Sequence, residues 1–539
     1  MLSIFATTDL IPAIRQIIQT EHRLDELVQA RPNFPTPAPS QPPPKGEGKE
    51  SPLLERGLGE AVGVSFLIDE RGIVLPPDWH NQSPPYLFAN PLPFDAAHLL
   101  GLVFAKLGNL EKSYVYLQKN TAFWQEIVLS DQLRQGYEIN LYKADKIVSP
   151  ENAKPLSADG QAASFDEYRS LHNRAVIRHY GVVSEEIRYA EIKEFYQNAL
   201  SAAPNDEYRA FTAKHLATLL TDAGELTEAE TLLEESIGQA LSEDAEYSLK
   251  HALTQVWLKQ LTVPYNEKLL LKLKDALWET LQYFEKNNLK VEAGLLWIDA
   301  SHVANISNSF SEALGYATKA VQIFEAEDIP ELLGHAWLRK GTLLYTWAQN
   351  GNPQFYKSAL DAYQSALKIY RKDVAPDVFA DIHHNLAVLY SEMPDENKKR
   401  GIWAAVSASS FKEALGYYSK ETFPYEYAMI CNNYGNALMK YPPAAKSDNF
   451  ARALEYFNEA LSIRTAEHYP YERALTLLNY IEANWNAGNE EDDFNEQRYE
   501  DMVAKAQEIK MLVSEDSLLS EADKHLTHLA QLKQVTGVN

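Results

Sequence analysis

The sequence predicts an all-α fold, a solenoid of stacked two-helix repeats, with a small irregular or β element near the N-terminus. Three observations lead there. Between about residues 295 and 510 each unit opens on a pair that ends in a small side chain, as in Leu386-Ala387 and Tyr434-Gly435, with Lys340-Gly341 in the corresponding place. A second helix follows with small residues three to seven apart, as in Ala359-Leu360-Asp361-Ala362-Tyr363-Gln364-Ser365-Ala366-Leu367. Such a unit cannot bury its apolar face alone and must stack on its neighbours. Third, 539 residues exceed one ordinary core, yet 45% are hydrophobic, and a repeat array grows without the usual size limit.

Taken in order, residues from about 9 to 30 have the spacing of an amphipathic helix, with Leu10, Ile14, Ile17, Ile18, Leu24 and Leu27 on one side. Asp9 is a candidate N-cap, and Pro12 fits a first turn. The reading is an N-terminal helix over 1–30, followed by a Pro-rich linker over 31–52. Seven prolines between Pro32 and Pro44 favour an extended spacer there. Val62, Val64, Phe66 and Ile68 alternate before Asp69-Glu70-Arg71-Gly72, and Ile73-Val74-Leu75 follow, the pattern of a small hairpin. More prolines lie between Pro76 and Pro93. The span 53–93 is therefore expected to be a small irregular element with a β-hairpin, packed on the first repeat as a cap. From 94 to 512 the pattern is helical, and 513–539 is expected to be a capping helix. Asp516 and Glu521 near its start and Lys524 and Lys533 further on suit its dipole.

The repeated units resemble the tetratricopeptide repeat (TPR) family. That family places a small residue at position 8 of the first helix and others at positions 20 and 27 of the second. Gly101 with Ser113 and Ala217 with Ala229 match, and Ser301, Ala313 and Ala320 match best. The position-8 residues Gly341, Ala387, Gly435 and Ile481 then recur every 46 to 48 residues. The excess over the usual ~34 must enter loops or lengthen helices. Asn350-Gly351-Asn352-Pro353, Met393-Pro394-Asp395-Glu396-Asn397 and Tyr441-Pro442-Pro443 are the expected insertions. A unit near Ala175 also fits, whereas 245–287 is helical without a clear alignment. The resemblance implies a right-handed solenoid. Phe423-Pro424-Tyr425-Glu426-Tyr427-Ala428, echoed by Tyr469-Pro470-Tyr471-Glu472-Arg473-Ala474, is similar to bacterial TPR arrays often associated with CHAT proteases. The sequence carries no protease domain beside it.

Composition narrows the function. With 50 basic and 75 acidic residues the net charge is −25, which repels phosphate backbones and argues against nucleic acid as a partner. Cys431, the single cysteine, reads as a small buried residue. No run is long and apolar enough for a membrane span, and the N-terminus lacks the features of a secretory signal, so a cytoplasmic protein is expected. Histidine pairs at His383-His384, His172 with His179, and His525 with His528 join no recognised metal motif. No metal, cofactor or catalytic residue is expected. A Cys431–His384 dyad is conceivable across repeats, but Cys431 falls at a packing position.

The family resemblance implies that first helices line a concave groove, through positions 2, 5, 9 and 12. That carries over to His335, Leu338, Thr342 and Tyr345, then to Asp381, His384, Val388 and Ser391. Met429, Asn432, Asn436 and Met439 follow, and then Leu475, Leu478, Glu482 and Trp485. Asparagine also recurs two residues before position 8, at Asn385, Asn433 and Asn479, and earlier at Asn173. An amide offers donor and acceptor together, so it can hold a peptide backbone of any sequence, or else satisfy groups between helices. Asn436 and Lys440 stand where part of a carboxylate clamp would lie. The expected function is a non-catalytic protein–protein adaptor that binds a partner segment in the groove. Its expected contact residues are Tyr345, His384, Asn385, Asn432, Asn433, Asn436, Lys440, Asn479, Glu482 and Trp485. A regulatory subunit for a separate effector, such as a CHAT-like protease, and a self-associating structural subunit are the alternatives.

Overall fold

The computed structural model describes residues 2–22, 24–32, 65–80, 84–149, 161–239, 241–262, 265–394, 399–443, 448–487 and 495–536. The Pro-rich stretch over 33–52, the valines at 62 and 64 and the acidic run at 490–493 lie outside these residues. Two compact units divide the chain, Met1–Leu296 and Trp297–Asn539.

The N-terminal unit opens with β1 (Leu2–Ala6), α1 (Ile11–Ile18), α2 (Leu24–Leu27), β2 (Val28–Pro32), β3 (Ser65–Asp69) and β4 (Gly72–Val74). The strands form one sheet in the order β2-β1-β3-β4. β1 is parallel to both β2 and β3, and β3 and β4 make the antiparallel hairpin that the alternation predicted. The single helix expected over 1–30 is thus replaced by a strand–helix–strand unit. Parallel strands need a crossover, and α1 supplies it. Its face of Ile11, Ile14 and Ile18 packs in one core with Ile4, Phe66, Ile68 and Ile73 of the sheet. The helical spacing was real but continued past the point where Leu2↔Val28 to Ala6↔Pro32 pairing claims the backbone. Gly72 turns the hairpin at φ +130°, and a Cβ there would meet the Leu92 carbonyl oxygen at 2.2 Å.

Helix pairs follow. They are α3 (Ala96–Lys106) with α4 (Leu110–Leu117), α5 (Thr121–Gln135) with α6 (Leu141–Ile147), and α7 (Gln161–Tyr180) with α8 (Tyr189–Ala202). Next come α9 (Asp206–Asp222) with α10 (Leu226–Ile237), and α11 (Glu243–Gln260) with α12 (Glu267–Lys286). Gly101 of α3 is there because a Cβ would meet Leu117 at 2.4 Å, and Ser113 donates its hydroxyl to the Gly101 carbonyl at 2.7 Å. Seven helix starts in this unit are held by side chains: Asp95, Asn109, Asn120, Asn140, Asn205, Ser242 and Asn266 each accept a backbone N–H of the first turn.

The boundary between the units falls within α13 (Lys290–Ile306). The C-terminal unit continues with α14 (Phe310–Ala326), α15 (Pro330–Gln349) and α16 (Phe355–Leu367), α17 (Pro376–Glu392) and α18 (Arg400–Leu415). It ends with α19 (Pro424–Lys440) and α20 (Asn449–Leu461), α21 (Pro470–Asn486) and α22 (Glu496–Leu512), then α23 (Asp516–Thr536). Here the first helices start on proline, at Pro330, Pro376, Pro424 and Pro470, where the missing N–H costs nothing. A Cβ at Gly341 would lie 2.9 Å from Tyr363, and one at Gly435 2.5 Å from Phe457. The long repeat is spent on first helices of 17 to 20 residues and on connectors 368–375, 416–423 and 462–469. Both units are therefore TPR-like arrays of helix pairs. Among the described residues no helix is long and apolar enough to cross a membrane.

Candidate functional site

The first helices of the C-terminal unit bring several of the expected residues together. Asn433 on α19 donates its amide to Nε2 of His384 on α17 at 2.9 Å. Asn432 donates to Oδ1 of Asn433 at 3.3 Å, and Asn479 on α21 donates to Oδ1 of Asn432 at 3.1 Å. One polar seam thus crosses three successive first helices. His384 and Asn432 are buried, while Asn433 and Asn479 are half-buried. Burial pushes His384 down to about 4, so its ring is neutral at ordinary pH, and its Nε2 is the acceptor.

A second network joins α15, α17 and α19 through Glu392. Its carboxylate accepts from Tyr345 at 2.7 Å, Gln349 at 3.0 Å and Lys440 at 2.8 Å. Lys440 therefore faces a carboxylate of its own chain. Trp485 donates its indole N–H to Nδ1 of His525 on α23 at 3.1 Å. Asn385 and Asn436 are half-buried and Glu482 is exposed, and these three belong to neither network. Cys431 is fully buried among Ala428 and Ala460, and burial pushes its thiol up to about 12. Its intended partner in a dyad, His384, is turned to Asn433 instead. Among the described residues no group of three His, Cys, Asp or Glu side chains is placed to hold a metal.

In the N-terminal unit the same helix positions hold the chain itself. Asn173 on α7 accepts the Leu87 backbone N–H at 2.8 Å and donates to the Leu87 carbonyl at 2.7 Å. Beside it, His172 Nε2 lies 2.9 Å from the Pro85 carbonyl oxygen, and Nδ1 lies 2.9 Å from the Thr212 hydroxyl of α9. A carbonyl can only accept, so Nε2 carries the ring proton. Burial pushes this histidine down to about 4. Further back in the segment, the Trp79 indole donates to Glu207 at 3.0 Å and packs edge-on against Phe211. The Trp79 carbonyl accepts from Lys214 of α9 and from Ser248 of α11, each at 3.2 Å. His80 meets Asp244 of α11 at 3.0 Å. Residues 76–80 and 84–92 are therefore a strap laid over α7, α9 and α11, not a cap on the first repeat alone.

Sequence reading missed Glu392 and Gln349, weighed His525 and His172 only as metal ligands, and of the other strap contacts singled out Asn173 alone. Glu392 was hidden because its place at the end of a helix gives no periodic signal. The strap had one: Pro84-Pro85-Tyr86-Leu87-Phe88 is apolar yet cannot be helical, so it needed a surface to cover.

No family model matches the sequence, and no curated protein does. Solved structures with similar folds include the apo form of RapI, 10% identical, with a TM-score of 0.45 over 69% of this chain and 98% of that one. A monomeric IFIT1 mutant with m7Gppp-AAAA is 14% identical, with a TM-score of 0.42 over 81% of this chain and 90% of that one. The Cut9–Hcn1 assembly is 14% identical, with a TM-score of 0.34 over 82% and 84%. Identities and scores this low carry no functional weight.

Proposed function

We propose that the C-terminal unit is a non-catalytic adaptor that holds an extended segment of a partner protein along α17, α19 and α21. Asn385, Asn433 and Asn479 would grip its backbone, with Asn432 and His384 behind them, Asn436 and Lys440 beside them, and Tyr345, Glu482 and Trp485 at the ends. The observation that supports this reading most is the grip of Asn173 on both backbone groups of Leu87. The same amide, two residues before position 8 of a first helix, already holds both backbone groups of a residue elsewhere in this chain. Amide grips of this kind read backbone rather than side chains, so the partner is selected by extended conformation and by the neighbouring apolar and aromatic positions.

The test begins with partners captured from the native cell and trimmed to a synthetic peptide. Asn385→Ala, Asn433→Ala and Asn479→Ala together should weaken that peptide about tenfold or more while the far-UV circular dichroism is unchanged. N-methylation of the peptide at a gripped backbone nitrogen should do the same. Peptide affinity untouched by both changes would sink the proposal and move the interface elsewhere.

A further inference from the structure

Beside Trp79 and His80 the N-terminal unit has a cleft of about 190 Å³ between α9, α11, α12 and the start of α13. That is room for about six waters at ~30 Å³ each, or for a small molecule of about ten non-hydrogen atoms. Two opposite charges line it, Lys214 from α9 and Glu292 from α13. Glu292 is only 8% exposed. Among the described residues neither group has an ion-pair partner, although each feels the other's charge. Lys214 gives two of its three donors to the Trp79 carbonyl at 3.2 Å and the Ser248 hydroxyl at 2.7 Å, which leaves one. Both side chains are pressed towards their neutral forms. Burial lowers Lys214 to about 8 and raises Glu292 above the usual carboxylate range. A ligand that supplied both missing counter-charges would relieve both groups at once.

The rest of the lining separates into polar and apolar sides. Gln255 and Thr218 add hydrogen-bonding groups, whereas Phe284, Leu295 and the Trp79 ring form an apolar wall. Phe284 is itself fixed edge-on between His80 and His251. His251 is held down at about 4 by burial, so it adds no positive charge to compete for the acid.

We propose that this cleft binds a small zwitterion, a free α-amino acid, with its carboxylate on Lys214, its ammonium on Glu292 and an apolar side chain against Phe284 and Trp79. The site lies in the unit that carries no proposed partner groove, and it stands whether or not the adaptor reading does. A bound amino acid would tie α9, α11 and α13 to the strap residue Trp79, whose carbonyl shares Lys214 with the ligand.

The test is isothermal titration of the full chain with each of the twenty standard amino acids, followed by the N-acetyl and carboxamide forms of the best one. At least one amino acid should bind, and each half-blocked form should bind about tenfold or more weakly. Lys214→Met should abolish the preference for a free carboxylate, and Glu292→Gln the preference for a free amine. If those variants do not fold, Thr218→Trp at the exposed rim should block binding while leaving both charges in place. Binding by none of the twenty at millimolar concentration overturns the proposal. So does equal binding of the half-blocked forms, or binding that survives Thr218→Trp.

Discussion

In the N-terminal unit the pair His172-Asn173 faces a length of the chain's own backbone, whereas in the C-terminal unit the pair His384-Asn385 stands at the same place in a first helix and meets no such strap among the described residues. The proton positions differ accordingly. His172 offers its Nε2 proton to the Pro85 carbonyl, and His384 uses the same nitrogen to accept from Asn433. Asn173 is buried and spent on Leu87, while Asn385, Asn433 and Asn479 are half-buried. An amide at this position thus takes whatever polar group lies over it. Where the chain supplies that group, the residue belongs to the fold. Where the chain does not, the residue is left to a neighbouring amide and, on our proposal, to a partner.

The contrast is sharpest at the two asparagines. Asn173→Ala strips partners from two buried backbone groups, at ~1–3 kcal/mol each, so it should cost about 2–6 kcal/mol. Urea unfolding of the full chain, with hydrogen exchange to locate the loss, should place it in the strap and in α7. A cost below about 1 kcal/mol would mean that the strap is loosely held and the two units are alike after all.

Acid should divide the units next. His172, His179 and His251 are held near 4 by burial and His215 well below its ordinary value, all in the N-terminal unit. In the C-terminal unit His302 and His384 lie near 4, and burial also lowers His335, His383 and His525, but these are spread from α13 to α23, whereas His172 and His215 sit with ring centroids 6.3 Å apart. An unfolded histidine takes a proton below about 6.5, and these buried ones do not until about 4, so the unfolded state binds more protons in that window. Stability is therefore present above 6.5 and is lost as the pH falls towards 4. The buried acids Glu126 and Glu292, raised in pKa, offset part of this in the N-terminal unit. Limited proteolysis between these pH values should still cut within α7–α11 before α15–α21. First cuts in the C-terminal unit would reverse the ranking.

Asn433→Ala removes two part-buried bonds between side chains, so it should cost about 1–3 kcal/mol by thermal melting, although it weakens the proposed partner. Lys440→Met should matter least. Its bond to Glu392 lies at the surface, and such pairs are worth under ~1 kcal/mol. A loss at Lys440 as large as that at Asn173 would show a C-terminal seam as locked as the strap.

Much of this was legible in the residues themselves. Gly101, Gly341 and Gly435 mark close helix approaches because any Cβ would strike Leu117, Tyr363 or Phe457, and that requirement repeats with the array. Asn433 and Asn479 were placed in one row because helix period and repeat length together fix which residues share a face.

What the sequence determined by itself is therefore whatever depends on neighbours a turn or a repeat away: helix pairs and their small-residue contacts. The tertiary structure decided what depends on distant partners. β1 and β2 are strands only because they pair with each other, across 26 positions, and β1 also with β3. The strap follows no period, and Leu87 meets Asn173 across 86 positions. Lys214 and Glu292 share one cleft only once α9 and α13 are folded in place. Local sterics repeat along a chain and can be read from it, whereas pairings between distant segments are fixed only when the whole surface that competes for them exists.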